Sequence, residues 1–468
     1  MSHSNNSRFL GALIGVLSVI LVVLLVVAFV VLPGLKSQET TPSSQPTQPS
    51  TIPTDPTDPT EPSEPTVPTE PPIVKENTIT IGATGDILFH DQLIASGKDE
   101  ATGTYDYSYI FQHLASYVGA FDYAVANMEG TMAGGDYVYT PGKVGYYGYP
   151  QFNAPDAVAL ALRDAGFDML LTANNHSYDT YNIGFHRTQQ VIKELGLDYI
   201  GTKPDTQSLD YLVKDVGGIK IGMSCYTYNT GVTDGKVSLN GIPVSETDSL
   251  LINTFNPWQL DSFYAKLEQE IAAMKAAGAD TIMLFIHWGE EYTTTPNDTQ
   301  KKIAQKLCDM GVDVIVGGHP HVMQPLEMLT SSVDPNKHTL CLYSMGNAVS
   351  NIFENAFPAE CRDGLLFSVT FAKYSDGTVI LESADVLPYY VNRHYNNTLN
   401  RYIHPIIPLD KPESEWKSAY GLNDTMFAAC QASLARTQAI IDEGLAAANA
   451  FLSQQQAQIE AQLGINTN

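Results

Sequence analysis

Val312–Gln324, VDVIVGGHPHVMQ, is the stretch that decides the fold. Val312 to Val316 is a short apolar, β-branched run of the kind that forms a buried parallel strand. It leads into Gly317-Gly318, where missing side chains let the chain turn sharply, and then into His319-Pro320-His321. An open α/β sheet binds its ligands beyond the carboxyl ends of its strands, which is where this histidine pair falls. Neutral imidazole is the commonest side-chain ligand for a transition metal. Taken alone, the motif fits equally well one exposed loop histidine and one hydrogen-bonded core histidine. What weighs for a metal is that other strand ends carry matching chemistry.

Upstream, apolar runs alternate with helical patterns. Thr78–Ile81 is strand-like and is closed by Gly85-Asp86; Asp122–Asn127 is a strand followed by Met128-Glu129-Gly130. Pro155–Ala165 has helical spacing, and the strand Asp168–Ala173 ends in Asn174-Asn175-His176. Gly184–Leu195 is helical, and Tyr199–Gly201 is a short strand. Tyr211–Tyr228 reads as a hairpin turning at Gly217-Gly218, and Pro257–Ala277 as a long helix. Thr281–Ile286 is a buried strand ending in His287-Trp288-Gly289, and the helix Thr299–Met310 leads back to the opening stretch. Such alternation predicts an α/β domain. Thr339–Ser344, Gly364–Ala372 and Thr378–Pro388 follow as strands without intervening helices, which predicts an antiparallel portion. From Pro412 the pattern is helical and alanine-rich, and Asn423–Leu463 predicts two helices broken near Gly444 that pack on the main domain or on a partner.

At 468 residues the chain exceeds one ordinary domain. Phe9–Leu32 is a run of about two dozen residues without a charge, long enough to cross a bilayer as a helix. Its length favours an uncleaved anchor over a signal peptide, whose apolar core is shorter. Arg8 lies on one side and Lys36 on the other, so the positive-inside signal is weak. Gln38–Pro72 repeats Thr-Pro, Asp-Pro and Glu-Pro steps, which favour an extended, solvated stalk. The expected organisation is a cytoplasmic end (1–8), a transmembrane anchor (9–32), an extracellular linker (33–76), a main domain (77–392) and a C-terminal helical extension (393–468), with the main domain outside a single-pass membrane protein. With 51 acidic and 25 basic residues the net charge is −26. That argues against a nucleic-acid partner, which needs a basic face. The 5 cysteines form no CxxC pair and no disulfide framework, although Cys361 and Cys430 are free to be considered as a bridge.

The polar residues at strand ends are Asp86, Glu129, Asn175, His176, His287, His319 and His321. Carboxylates, a carboxamide and imidazoles form a mixed oxygen and nitrogen donor set suited to Mn, Fe or Zn. One or two divalent ions are expected, because a carboxylate can bridge a pair that clamps a displacement at phosphorus. An unligated histidine nearby would protonate the leaving oxygen. Asp179 either orients His176 or starts a turn. Trp288, Glu290, Glu291 and Tyr292 either line a pocket or serve the fold, with Trp288 packing and one glutamate orienting His287. Asn347 either contacts substrate or caps a turn. Tyr146, Tyr147 and Tyr149 are a polymer-contacting loop or a solvated one. His90, His113 and His186 are expected to point elsewhere.

The stretches ATGDILFH, VANMEGT, FNAPDAVALALRDAGFDMLLTANNHSYD with GFHRT, IHWGEEY, VIVGGHPHVMQPLE and YSMGNAVSN occur in this order between Asn77 and Tyr390. Together they resemble the bacterial capsule synthesis family called CapA, the poly-gamma-glutamate biosynthesis proteins with a calcineurin-like metallophosphoesterase fold. The resemblance implies a four-layer α/β sandwich with a metal site at its strand ends. It implies Glu129, Asn175, His287 and His319 around one ion, Asp86, Glu129 and His321 around another, and His176 as acid. Two departures stand out. General phosphoesterases carry Asp-x-His where this chain has Asp86-Ile87-Leu88, and Gly318 and Ala348 replace a histidine and a phenylalanine common in the family. The resemblance implies a surface protein acting on a phosphoester or a capsule polymer, within a capsule synthesis complex. The reading is a metal-dependent hydrolase, with a non-catalytic polymer assembly, export or anchoring factor as the alternative. Action on the γ-amide bond itself is a third, weaker reading.

Overall fold

A computed structural model describes residues 72–352 and 357–465. The anchor expected at 9–32 and nearly all of the stalk lie outside the described residues. Among the described residues no helix is long and apolar enough to cross a membrane.

The predicted alternation resolves into two mixed sheets. β1 (Lys75–Ile87), α1 (Asp91–Ser96), β2 (Tyr123–Met128), α2 (Ala157–Asp164), β3 (Met169–Leu171), α3 (Tyr181–Glu194) and β4 (Asp198–Ile200) come first, and their four strands run parallel. The hairpin β5 (Tyr211–Val216) and β6 (Ile219–Tyr228) turns at Gly217-Gly218 as expected. Then come β7 (Thr254–Phe255), α4 (Asp261–Ala276), β8 (Thr281–His287), α5 (Asp298–Met310), β9 (Val314–Gly318), β10 (Met323–Thr330) and β11 (His338–Met345). These build the second sheet in the order β7-β6-β8-β9-β11-β10, with β5 on β6. The chain then returns to the first sheet with β12 (Asn347–Val349), β13 (Asp363–Tyr374), β14 (Val379–Val391) and β15 (Ile406–Pro408), in the order β15-β14-β13-β1-β2-β3-β4, with β12 beside β1. α6 (Glu413–Tyr420) and α7 (Asp424–Gln462) close the described chain.

Strand alternation explains the layering. Val125 and Phe285 point into a core shared by both sheets, together with Ile81, Met223, Val316 and Leu342. Their neighbours Ala124 and Leu284 point the other way. Ala124 packs with Val158, Leu162 and Ile192 of α2 and α3, and Leu284 packs with Leu267, Ile271 and Leu307 of α4 and α5. Strands covered on both faces read as continuous apolar runs, which is why the central strands were visible in the sequence. α5 is fixed at its start by a capping box between Asn297 and Gln300, and at its end by Gly311 at φ 82°.

Two expectations need correction. α7 is one continuous helix of 39 residues, not two. Gly444 does not break it: a Cβ there would lie 2.0 Å from the carbonyl oxygen of Leu326. The glycine therefore marks the closest approach of α7 to β10, and the helix crosses from β10 of one sheet to β14 of the other. Secondly, Met323–Thr330 is a strand the sequence reading passed over. Pro325 interrupts its pattern, and the strand is tolerated because β10 is a sheet edge. All 5 cysteines are buried and free, so Cys361 and Cys430 are not bridged.

Candidate metal centre

The polar residues at the strand ends converge on one point. Asp86 ends β1, Glu129 follows β2, Asn175 and His176 follow β3, His287 ends β8, and His319 and His321 follow β9. All are buried. The turn after β9 is made by the histidines rather than the glycines: His319 has φ 96° and His321 φ 57°, both in the left-handed region. Neighbouring bonds hold this conformation. The His319 N–H donates to Asp86 Oδ2 at 3.2 Å, and the Tyr292 N–H donates to the Pro320 carbonyl at 2.7 Å. Gly317 is required for packing, since a Cβ there would lie 2.0 Å from the Tyr343 carbonyl oxygen and 2.6 Å from Trp288 Nε1.

Donor atoms form two triads that share one carboxylate. Glu129, His287 and His319 make one, and Asp86, Glu129 and His321 the other; within each, the donor atoms lie within 4.8 Å of one another. His287 Nε2 is 2.8 Å from Asn175 Oδ1 and 3.4 Å from Glu129 Oε1. His321 Nδ1 is 3.3 Å from Asp86 Oδ2 and 3.0 Å from Asn347 Oδ1. Both oxygens of Glu129, and Nδ1 of His319, are buried without a hydrogen-bond partner. An ionised carboxylate is costly to bury unless it is paired or coordinates a cation. Unsatisfied oxygens and a bare imidazole nitrogen facing each other therefore fit a divalent ion. The donor set is compatible with one or two such ions and does not select the element.

Protonation follows from the same geometry. Burial and the charges of His287 and His321 hold His319 well below the usual imidazole range, which favours the neutral imidazole that metal ligation needs. Burial also opposes a charge on His321, yet Glu129 and Asp86 outweigh it and push His321 up to about 9. Burial would raise Asp86, but the hydrogen bond to His321 and the two imidazole charges leave it below the ordinary carboxylate value. Asp179 Oδ2 lies 2.7 Å from His176 Nδ1 and raises His176 against its burial.

The structure sorts the remaining candidates. Asp179 is bonded to His176, and Asn347 braces His321 through its side chain while donating to the His321 carbonyl at 3.1 Å. Glu290 and Glu291 are exposed and the ring nitrogens of His287 face Asn175 and Asn127 instead, but Glu291 and Tyr292 line the cavity beside the centre. Trp288 is buried and donates to the Tyr343 carbonyl at 2.9 Å, a packing role. His186 bonds Asp248 at 3.0 Å, away from the site. Three residues were missed. Asn127 donates to Asp86 Oδ1 at 2.7 Å, Asn174 donates to the Met128 carbonyl at 2.8 Å, and the Tyr228 hydroxyl lies 3.3 Å from His319 Nε2. Asn174 follows an apolar run and Tyr228 ends one, which was the available signal, while Asn127 lies within the strand Tyr123–Met128. His90, expected to point away from the ion, belongs to neither triad; it lines a cavity of about 390 Å³ together with Leu88, Phe152, His176, Tyr292 and His321. Of the three loop tyrosines, Tyr149 is exposed at that cavity, whereas Tyr147 is buried.

The class in hand is a two-sheet α/β domain that gathers carboxylates, a carboxamide and imidazoles at its strand ends beside a cavity, a donor set compatible with divalent metal. The sequence model of the bacterial capsule synthesis protein PGA_cap matches residues 80–352, and the chain belongs to that family. It is 29% identical over 314 residues to the capsule biosynthesis protein CapA of Bacillus anthracis, across 66% of this chain and 67% of that one. It is 28% identical over 278 residues to the PGA biosynthesis protein CapA of Bacillus subtilis (strain 168), across 59% of this chain and 65% of that one.

Proposed function

We propose that this chain is a membrane-anchored, cell-surface member of capsule or poly-gamma-glutamate biosynthesis that hydrolyses a phosphoester-like bond with divalent metal. The layering of helices, sheet, sheet and helices supports a four-layer sandwich of the metallophosphoesterase type. The observation that carries the reading is Glu129, a buried carboxylate with both oxygens unsatisfied between two triads. Bound ions would supply Lewis acidity and a water acidic enough to attack at neutral pH. Asp86, Glu129, Asn175, His287, His319 and His321 would hold them. His176 lines the cavity, and Asp179 fixes its Nδ1, leaving Nε2 to deliver a proton to a leaving oxygen. The Pro-rich stalk at 33–76 would carry the domain outward from the anchor at 9–32.

Metal analysis of the full chain beside His319→Ala tests this, with turnover of an aryl phosphate ester under added Mn and Zn. Wild type should hold stoichiometric metal and turn over. His319→Ala should lose activity by more than the roughly 10- to 100-fold typical of deleting a residue behind a ligand. Absence of bound metal in wild type would sink the proposal.

One observation favours a second reading, in which the protein handles polymer without catalysis. Leu88 is buried where general phosphoesterases place a histidine, so the Asp86 triad has the imidazole of His321 and lacks a second one. Bound metal without turnover is the result this reading expects. Metal would then bridge an acidic protein to an acidic polymer.

A further inference from the structure

The cavity lining also carries a polar network, around Asn351, that the two triads do not include. Asn351 lines the cavity and is 8% exposed. Its Oδ1 accepts from Arg393 Nε at 2.9 Å and lies 2.7 Å from His404 Nε2. Guanidinium nitrogens only donate, so the atom facing Arg393 must be the oxygen, and the amide orientation is fixed by chemistry. His404 must then donate from Nε2, which agrees with its buried Nδ1 having no partner. The Asn351 backbone N–H is spent on His90 Nδ1 at 3.4 Å. What remains is the Nδ2 amino group. It has no hydrogen-bond partner among the described residues, and it belongs to a side chain whose other end is clamped. Arg393 in turn is held by Gln92 Oε1 at 2.9 Å, with its guanidinium 3.9 Å over the Tyr402 ring. A cation donating to Oδ1 polarises the amide and strengthens its N–H groups as donors.

We propose that Asn351 is an oxyanion-binding residue, whose Nδ2 donors grip an anionic oxygen of the substrate in the cavity that His176 and His321 also line. This rests on the cavity being the substrate site of the proposed function. The chemistry is shared by a phosphoryl oxygen and by a carboxylate of an acidic polymer, so both are probed. In a chain of net charge −26, this wall is one place where arginine stands behind a donor facing the cavity. It answers how so acidic a protein holds an anion.

The test uses the full chain loaded with Mn, as wild type, Asn351→Asp and Asn351→Ser. Both replacements keep an oxygen for Arg393 and His404 to donate to, and neither offers the amide N–H pair. Binding of inorganic phosphate and of glutarate is measured by calorimetry, beside metal content, thermal stability and aryl phosphate turnover. Both variants should retain metal and folding yet bind one of the two anions roughly 10- to 100-fold more weakly, the range for losing hydrogen bonds to a charged group. Weaker phosphate assigns a phosphoryl oxygen, and weaker glutarate a carboxylate. Unchanged affinity for both anions in Asn351→Ser overturns the assignment, even if Asn351→Asp repels them by charge. Anion binding that depends on Asn351 without any turnover in wild type would overturn the hydrolase reading and leave this one standing.

Discussion

At the scale of single residues, the centre stands out for polar atoms that the protein buries without pairing them: both oxygens of Glu129 and Nδ1 of His319. Glu129 has no donor for either oxygen. His287 and His321 approach it at 3.4 and 3.9 Å, too far for good hydrogen bonds. Removing its charge while keeping its shape should therefore stabilise the metal-free fold. Glu129→Gln is expected to abolish metal binding and to raise the melting temperature of the chelated protein relative to chelated wild type. A fall in melting temperature would show that Glu129 is already compensated by protein groups. Leu88 offers a complementary gain. It lies two residues beyond Asp86, is 3% exposed, and faces the cavity beside His321. Leu88→His should add an imidazole to the Asp86 triad and raise the metal bound per chain, read by elemental analysis; unchanged stoichiometry would place the new ring outside the ligand set. The residues that converge at the strand ends were legible in the sequence because each interrupts an apolar run at its carboxyl end. Asn127 was not, because it sits inside the run Tyr123–Met128 and reads as one polar residue in a strand. Nor were the partners of His287, since Glu290 and Glu291 are near it in sequence while Asn175 and Asn127 are near it in space.

At the scale of elements, α7 is what joins the two sheets at one side. Ile441 and Ala448 enter the core between the sheets, Asn449 bonds both the N–H and the carbonyl of Ala384 at 2.9 and 2.8 Å, and Gly444 touches β10. Gly444→Ala forces a Cβ against a carbonyl oxygen, a contact that only backbone movement can relieve. Overpacking of this kind costs about 1–3 kcal/mol, so urea unfolding should show a loss of that order, although alanine is the better helix former by about 1 kcal/mol. A net gain in stability would mean that α7 is free to slide. Arg436 clamps the same helix to β13 through two bonds to the buried Asp363, at 2.6 and 2.7 Å. Arg436→Met strands a buried carboxylate and should destabilise by about 3–5 kcal/mol, with Asp363→Asn in the same chain recovering most of it. Central strands and amphipathic helices were legible because their periodicity carries their burial. Gly444 was misread because a sequence shows a glycine but not the carbonyl lying against it, and β10 was passed over because Pro325 looks like a stop when the strand's edge position is unknown.

At the scale of the whole molecule, acid is the condition under which opposing charge effects compete. Acidification relieves the self-repulsion of a chain carrying −26. It also loads protons onto the unfolded chain that the folded one refuses. Burial, aided by Arg393 and Arg362, holds His404 down to about 3, and burial with the charge of His321 holds His90 down to about 4. An unfolded histidine titrates near 6.5. Between that value and the folded one, the unfolded state binds more protons, so stability rises with pH and falls on acidification. The contribution is fully present above about 6.5 and disappears as pH drops toward the folded value, the opposite sense to a histidine stabilised by a carboxylate. Each such histidine adds a slope of about 1.4 kcal/mol per pH unit inside its window. Net-charge repulsion cannot be separated from this in wild type alone, but it cancels between wild type and a variant of equal charge. His404→Gln is that variant at neutral pH. Its amide can donate to Asn351 Oδ1 as the imidazole does, and it cannot titrate. The pH dependence of unfolding free energy between about 6 and 4 should therefore be shallower in His404→Gln than in wild type by roughly that one-proton slope. Equal slopes would mean that His404 titrates in the fold as it does unfolded, so that the Asn351 network carries a charge below that pH while His404 Nε2 still donates to Asn351.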